Sequence, residues 1–93
     1  MKKRRSRISI IADILTFLEK EGGEASTTRI ATATGLAYDR MIKILEELER
    51  RGIIKLIADE KSKKAIMTER GFHLLIRLRE LRRLLEDLGL EIF

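Results

Sequence analysis

The side chains best suited to chemistry in this sequence are cations and hydroxyls gathered in four short groups. Lys2, Lys3, Arg4, Arg5 and Arg7 open the chain. Thr27, Thr28 and Arg29 follow a Gly pair, and Tyr38, Arg40 and Lys43 follow another Gly. Lys61, Lys63 and Lys64 lie in the polar run DEKSKK. Guanidinium and ammonium donors suit phosphate oxygens, and an Arg can also take both acceptors of a guanine edge. Hydroxyls and free backbone N–H groups at a helix start can hold a phosphate. Catalytic chemistry has no comparable basis. His73 is the single histidine and there is no Cys, so no metal site can be completed from those ligands. Ser and Thr cluster where helices should begin, which makes them caps. Carboxylates such as Glu46, Glu47 and Glu49 spread over what reads as a solvated helix face. No Gly-rich phosphate loop follows a strand. Neither an enzyme nor a cofactor, metal or small-molecule ligand is expected.

Charge location matters more than its sum. The chain carries 20 Lys and Arg against 15 Asp and Glu, net +5. Five of the cations lie within residues 2–7, so the remainder holds 15 against 15 and is neutral. A basic run of this kind is either a solubilising tail or an arm for phosphates. Beside the other cationic groups, the arm is the favoured reading. Apolar residues make up 44% with four aromatics, so a core must be built from Ile, Leu and Ala. The absence of Asn, Gln and Cys beside abundant Lys, Arg and Glu fits a thermophile. No apolar run approaches the ~20 residues that span a bilayer. Asp13 and Thr16 interrupt the segment after the basic start, so it does not read as a secretory leader. The expected location is cytoplasmic, on the nucleoid.

The elements that would position these groups can be read from caps and periodicity. Ser6 caps a helix to about Glu21, with Ile10, Ile11, Ile14, Leu15 and Leu18 on one stripe and Gly22 and Gly23 as its stop. Ser26 or Thr27 opens a second, short helix with Ile30, Ala31 and Ala33 as small contacts, closed by Gly35. A third runs from about Ala37 to Arg51, with Tyr38, Met41, Ile42, Leu45 and Leu48 inward and Arg40 and Lys43 outward. Gly52 ends it. Ile53 to Ala58 and Ala65 to Met67 form a hairpin whose tip is Lys-rich. Thr68 then caps a last helix from Glu69 to about Leu88.

That last helix carries Leu74, Leu78, Leu81, Leu85 and Leu88 at steps of 4, 3, 4 and 3, a two-heptad seam expected to join two copies of the chain. Parallel pairing would set Arg77 against Arg82 of the partner, so the antiparallel arrangement is preferred. Phe72, Leu75, Ile76 and Leu84 fall off the seam.

Helix, turn, helix and hairpin in this order is the layout of a winged helix-turn-helix. The stretch TTRIATATGLAYDRMIKILEELERRGII resembles the helix-turn-helix of winged-helix regulators. AIMTERGFHLL resembles the strand-to-helix junction of the same superfamily, and the order of parts over nearly the whole chain is similar to the archaeal ten-kilodalton basic DNA-binding proteins. The resemblance implies a homodimer joined by a C-terminal antiparallel coiled coil and bound to duplex DNA. It gives Tyr38, Arg40 and Lys43 the recognition-helix contacts and the Lys61–Lys64 tip the wing contact. Ala37 departs from the pattern, because such helices often begin with Ser.

The expected fold is therefore mainly α with a small β-hairpin: an arm at 1–7, a winged helix-turn-helix at 8–68 and a dimerisation helix with its tail at 69–93. The expected function is duplex-DNA binding, as a transcription regulator or an architectural chromatin protein. The alternative is a winged-helix protein-interaction module, which the neutral body favours.

Overall fold

A computed structural model describes residues 6–90. Its elements follow the caps. Helix α1 spans Arg7–Lys20, with the Ser6 hydroxyl accepting from the Ser9 amide at 3.0 Å. Strand β1 is Glu24–Ser26, and α2 is Thr27–Thr34, capped by Ser26 through the Arg29 amide at 3.2 Å. Helix α3 is Tyr38–Arg50, strands β2 and β3 are Ile54–Ala58 and Lys63–Met67, and α4 is Glu69–Asp87. Ala37 supplies no side-chain cap to α3, leaving Asp39 in the first turn as the residue that complements the helix dipole.

The sheet has three strands rather than the two of a hairpin. Its order is β1-β3-β2, all antiparallel. β1 pairs Glu24 with Ile66, Ala25 with Ala65 and Ser26 with Lys64. Three residues are too few to show strand alternation in a sequence, so this strand gave no signal. Its presence has a physical reason: the chain leaving Gly23 is already extended, and the free edge of β3 offers unpaired N–H and C=O groups. Gly23 holds φ at 102°, a conformation glycine takes without strain, and its amide closes α1 on the Leu18 carbonyl at 2.8 Å.

The core lies where α1, α2, α3 and the inner sheet face meet. Ile14, Leu15, Leu18, Ile30, Met41 and Leu45 are fully buried, joined by Ile54, Ala65 and Leu75 from the sheet and α4. Three expected inward contacts differ, Tyr38 being 44% exposed. Ile44 is buried whereas Ile42 is only half-buried, and Ala33 is exposed.

The root of α4 is locked to the corner between α3 and β2. The Thr68 hydroxyl sits 2.6 Å from the Gly52 carbonyl and 2.9 Å from that of Ile53, and it accepts from the Gly71 amide at 3.1 Å. A Cβ at Gly71 would overlap the Ile53 carbonyl oxygen and press on Met67, so only glycine lets α4 approach this closely. Farther along, Arg79 makes a two-pronged ion pair with Glu19 of α1, at 2.6 and 3.0 Å. The hydrogen bond from Arg79 holds the Glu19 carboxyl below its ordinary value and raises the guanidinium in turn.

The five-leucine seam is consequently split. Leu78 is buried in the chain's own core and Leu74 packs against it, while Leu75, expected off the seam, is 1% exposed. Leu81 and Leu88 of the seam are 44% and 72% exposed and Leu85 is half-buried, while Leu84, expected off the seam, is 62% exposed. The distal half of α4 thus presents an apolar stripe to solvent, and nearer its start Ile76 and Phe72 are exposed as well, at 52% and 37%.

Candidate nucleic-acid interface

Helix α3 is the most sharply two-faced helix of the chain. Met41, Ile44, Leu45 and Leu48 point into the core. Asp39, Lys43, Glu46 and Arg50 recur at steps of four, three and four, so they form the stripe opposite. Arg40 and Glu47 flank it. Arg40 and Lys43 are exposed and make no ion pair or hydrogen bond among the described residues. Glu47, an obvious partner for Arg40, is engaged by Arg7 and by Arg51 at 3.1 Å. The donors of Arg40 and Lys43 are therefore available to an incoming acceptor.

Arg7 belongs to the first turn of α1 rather than to a separate arm, and its pairing with Glu47 ties that end of α1 to α3. The two helices border an open groove lined by Arg7, Arg40, Lys43 and Arg50, with Glu46 and Glu47 among them. Ile10 and Ile44 form its apolar wall. Arg50, in the last turn of α3, is a fourth cation of this groove. Its i+7 spacing from Lys43 was the available signal. Lys2, Lys3, Arg4 and Arg5 lie outside the described residues.

The start of α2 is built differently. Thr27 is 1% exposed, and its hydroxyl lies 2.9 Å from the Tyr38 hydroxyl and 3.3 Å from the Lys63 carbonyl. The Thr27 side chain read as a phosphate contact is thus an internal staple joining α2, α3 and the wing. Tyr38 keeps 44% of its surface exposed, with its hydroxyl oriented by this staple. Thr28 is exposed. Arg29 pairs with Glu21 and lies over the Phe17 ring, 5.8 Å from its centroid, so it is held against its own chain.

The wing divides in the same way. Lys61 and Lys63 are exposed. Lys64 is half-buried and bonds Glu24 of the neighbouring strand at 3.2 Å. The turn is fixed by Asp59, whose carboxylate accepts from the Lys61 and Ser62 amides at 2.9 and 2.8 Å. Those two backbone donors hold the Asp59 carboxyl below its ordinary range. An Asx turn replaces the Asn-Gly or Asp-Gly pair that the tip lacks.

His73 is exposed, and the described residues contain no cluster of His, Cys, Asp or Glu able to hold a metal. No helix among them is long and apolar enough to cross a membrane.

A short helix, a Gly turn, an outward-facing second helix and a lysine-tipped hairpin define a winged helix-turn-helix. The family model described as winged helix-turn-helix matches residues 4–86, and the chain belongs to that family. Among solved structures it is similar to Sso10a-2, a DNA-binding protein from Sulfolobus solfataricus. The TM-score is 0.80 at 26% identity, over 91% of this chain and 86% of that one. The fold is also that of the transcriptional regulator BldR from the same organism, with a TM-score of 0.73 at 22% identity. That match spans 85% of this chain and 58% of BldR. A curated relative is the phenylalanine–tRNA ligase alpha subunit of Metallosphaera sedula, 36% identical over 58 residues. The match covers 62% of this chain and 12% of that protein. The chain therefore has the architecture of small archaeal DNA-binding proteins.

Proposed function

We propose that this chain is a homodimeric duplex-DNA-binding protein, acting as a transcription regulator or an architectural chromatin protein on the nucleoid. Helix α3 enters the major groove, while the wing lysines, Lys61 and Lys63, and the basic residues 2–5 meet phosphates. The observation that carries this reading is the pair Arg40 and Lys43, both exposed and without a partner among the described residues, on the face of α3 that the fold turns outward. A helix of this size fits the major groove of B-DNA, and an Arg there can donate twice to guanine. The likeness to Sso10a-2 supports the same reading.

The dimer rests on the distal half of α4. Leu81, Leu84 and Leu88 follow heptad-type steps of three and four and are largely exposed. An isolated chain would leave that apolar stripe in water, which a second α4 covers. The antiparallel arrangement separates like-charged arginines. A second reading, a protein-interaction module, draws on the balanced charge of the body outside residues 2–7.

The test is titration of a labelled random-sequence duplex followed by anisotropy at several salt concentrations. The expected result is binding whose logarithm falls linearly with the logarithm of salt, at about −0.9 per phosphate neutralised. Binding that is absent at low salt would leave the interaction-module reading in its place. Sedimentation of the L84D/L88D variant is expected to give a monomer where the parent gives a dimer.

A further inference from the structure

The outward stripe of α3 is not simply basic. It alternates carboxylate and cation: Asp39, Lys43, Glu46, Arg50. The spacing would allow Asp39 to pair with Lys43 and Glu46 with Arg50, each at i,i+4 with the acid N-terminal, the better orientation for a helix ladder. Neither ion pair forms, and Asp39 and Glu46 make no hydrogen bond or ion pair among the described residues. Two exposed carboxylates therefore have no partner among the described residues on the face that, in the reading above, approaches DNA.

A carboxylate there has a definite consequence. It repels phosphates, so it weakens binding to arbitrary duplex. It has no proton to offer the O4 of thymine or the O6 and N7 of guanine, and contact with those acceptors leaves a desolvated anion unmatched. The edges that satisfy it carry an exocyclic amino group, first the N4 amino of cytosine. Arg40, Lys43 and Arg50 in turn prefer the acceptors of guanine. A helix face alternating acceptors and donors thus fits a run of G·C pairs in both strand senses and disfavours other sequences.

We propose that Asp39 and Glu46 are specificity-determining residues of α3, each accepting from a major-groove amino group of cytosine and rejecting sites that lack one. The proposal rests on the DNA-binding reading. It deepens that reading by making the protein selective rather than a uniform coat. Asp39 also complements the dipole at the uncapped start of α3, so its replacement perturbs the first turn; Glu46, in the middle of the helix, carries no such role.

The experiment is selection of bound duplexes from a randomised library, followed by sequencing, for the parent chain, D39A and E46Q. Affinity for random duplex and the thermal midpoint are measured alongside. The parent is expected to enrich cytosine at fixed positions beside guanine. Each variant should lose that enrichment at one position, by about 5- to 150-fold in discrimination, while binding random duplex as tightly or more tightly. E46Q should do so with its thermal midpoint unchanged. Enrichment of adenine at those positions would overturn the cytosine assignment. Unchanged preferences in both variants, with duplex binding intact, would overturn the proposal alone. A parent chain that binds no duplex at low salt would overturn it together with the reading beneath it.

Discussion

The cations of α3 and those at the start of α2 and on β3 belong to the same residue types and were equally good candidates, yet the fold treats them oppositely. Arg29 and Lys64 are tied to Glu21 and Glu24, and Thr27 is sealed inside. Arg40 and Lys43 touch no partner among the described residues. The difference follows from position. The start of α2 and the edge of β3 converge on the junction with β1, where acidic residues flank the same strand. The outer face of α3 opens on the groove it shares with the start of α1, where Arg40 and Lys43 meet no acidic partner among the described residues. A helix-turn-helix thus uses one set of polar groups to fix the angle between its helices and leaves the other set free for a ligand.

The sharpest way to break this contrast is to remove the free set. R40A/K43A is expected to lower affinity for duplex at moderate salt by tenfold or more, in line with about 1–3 kcal/mol for a good base-edge contact. Equilibrium titration at one salt concentration measures it. Removing the staple should act on stability instead. T27V keeps the shape but leaves the Tyr38 hydroxyl without its partner, and should destabilise by about 1 kcal/mol, read from the denaturation midpoint. Its effect on affinity at temperatures well below melting should be small. R29A and K64A sharpen the contrast from the other side. Exposed ion pairs contribute about 0–1 kcal/mol, so both variants should hold their stability within that range. Their duplex affinity should stay within about twofold of the parent, since neither charge is free.

The smallest expected effect is on pH. Asp59 and Glu19 both have folded-state values depressed below the ordinary carboxylate values of 3.8 and 4.5. A depressed carboxylate contributes stability that is complete above its unfolded value and is lost as pH falls through the folded one. The wing turn and the α1–α4 clasp should therefore stay intact at neutral pH and loosen only in acid below those ordinary values. Amide exchange of Lys61 and Ser62 against pH checks the turn, and D59A should remove that dependence.

Much of this architecture was legible because it is local. Ser6, Ser26 and Thr68 are caps as their neighbours' patterns require, and Gly35 and Gly52 end helices with positive φ. The outward placement of Arg40 and Lys43 follows from the period of α3 alone. What could not be read depends on contacts between distant segments. β1 exists because β3 has an edge to cover. Ile44 is buried rather than Ile42 because α1 reaches that flank of α3, where Ile10 and Ile44 share one wall. Leu75 outranks its seam neighbours because Gly71 lets α4 turn that side toward the sheet. Periodicity gives a helix its faces, and it does not say which neighbour each face meets. For the site, type and spacing located the cationic groups but could not distinguish an engaged Arg29 from a free Arg40, since Glu21 and Phe17 reach Arg29 only in the folded chain.

The central claim is that α3 is the reading element, and amide chemical-shift mapping tests it most directly. A short duplex would be added to isotopically labelled protein at low salt. The account predicts that the largest shifts fall within residues 38–50, with a second group at residues 59–63 of the wing, and that the buried start of α2 moves little. Shifts concentrated on α4, with α3 unmoved, would contradict it.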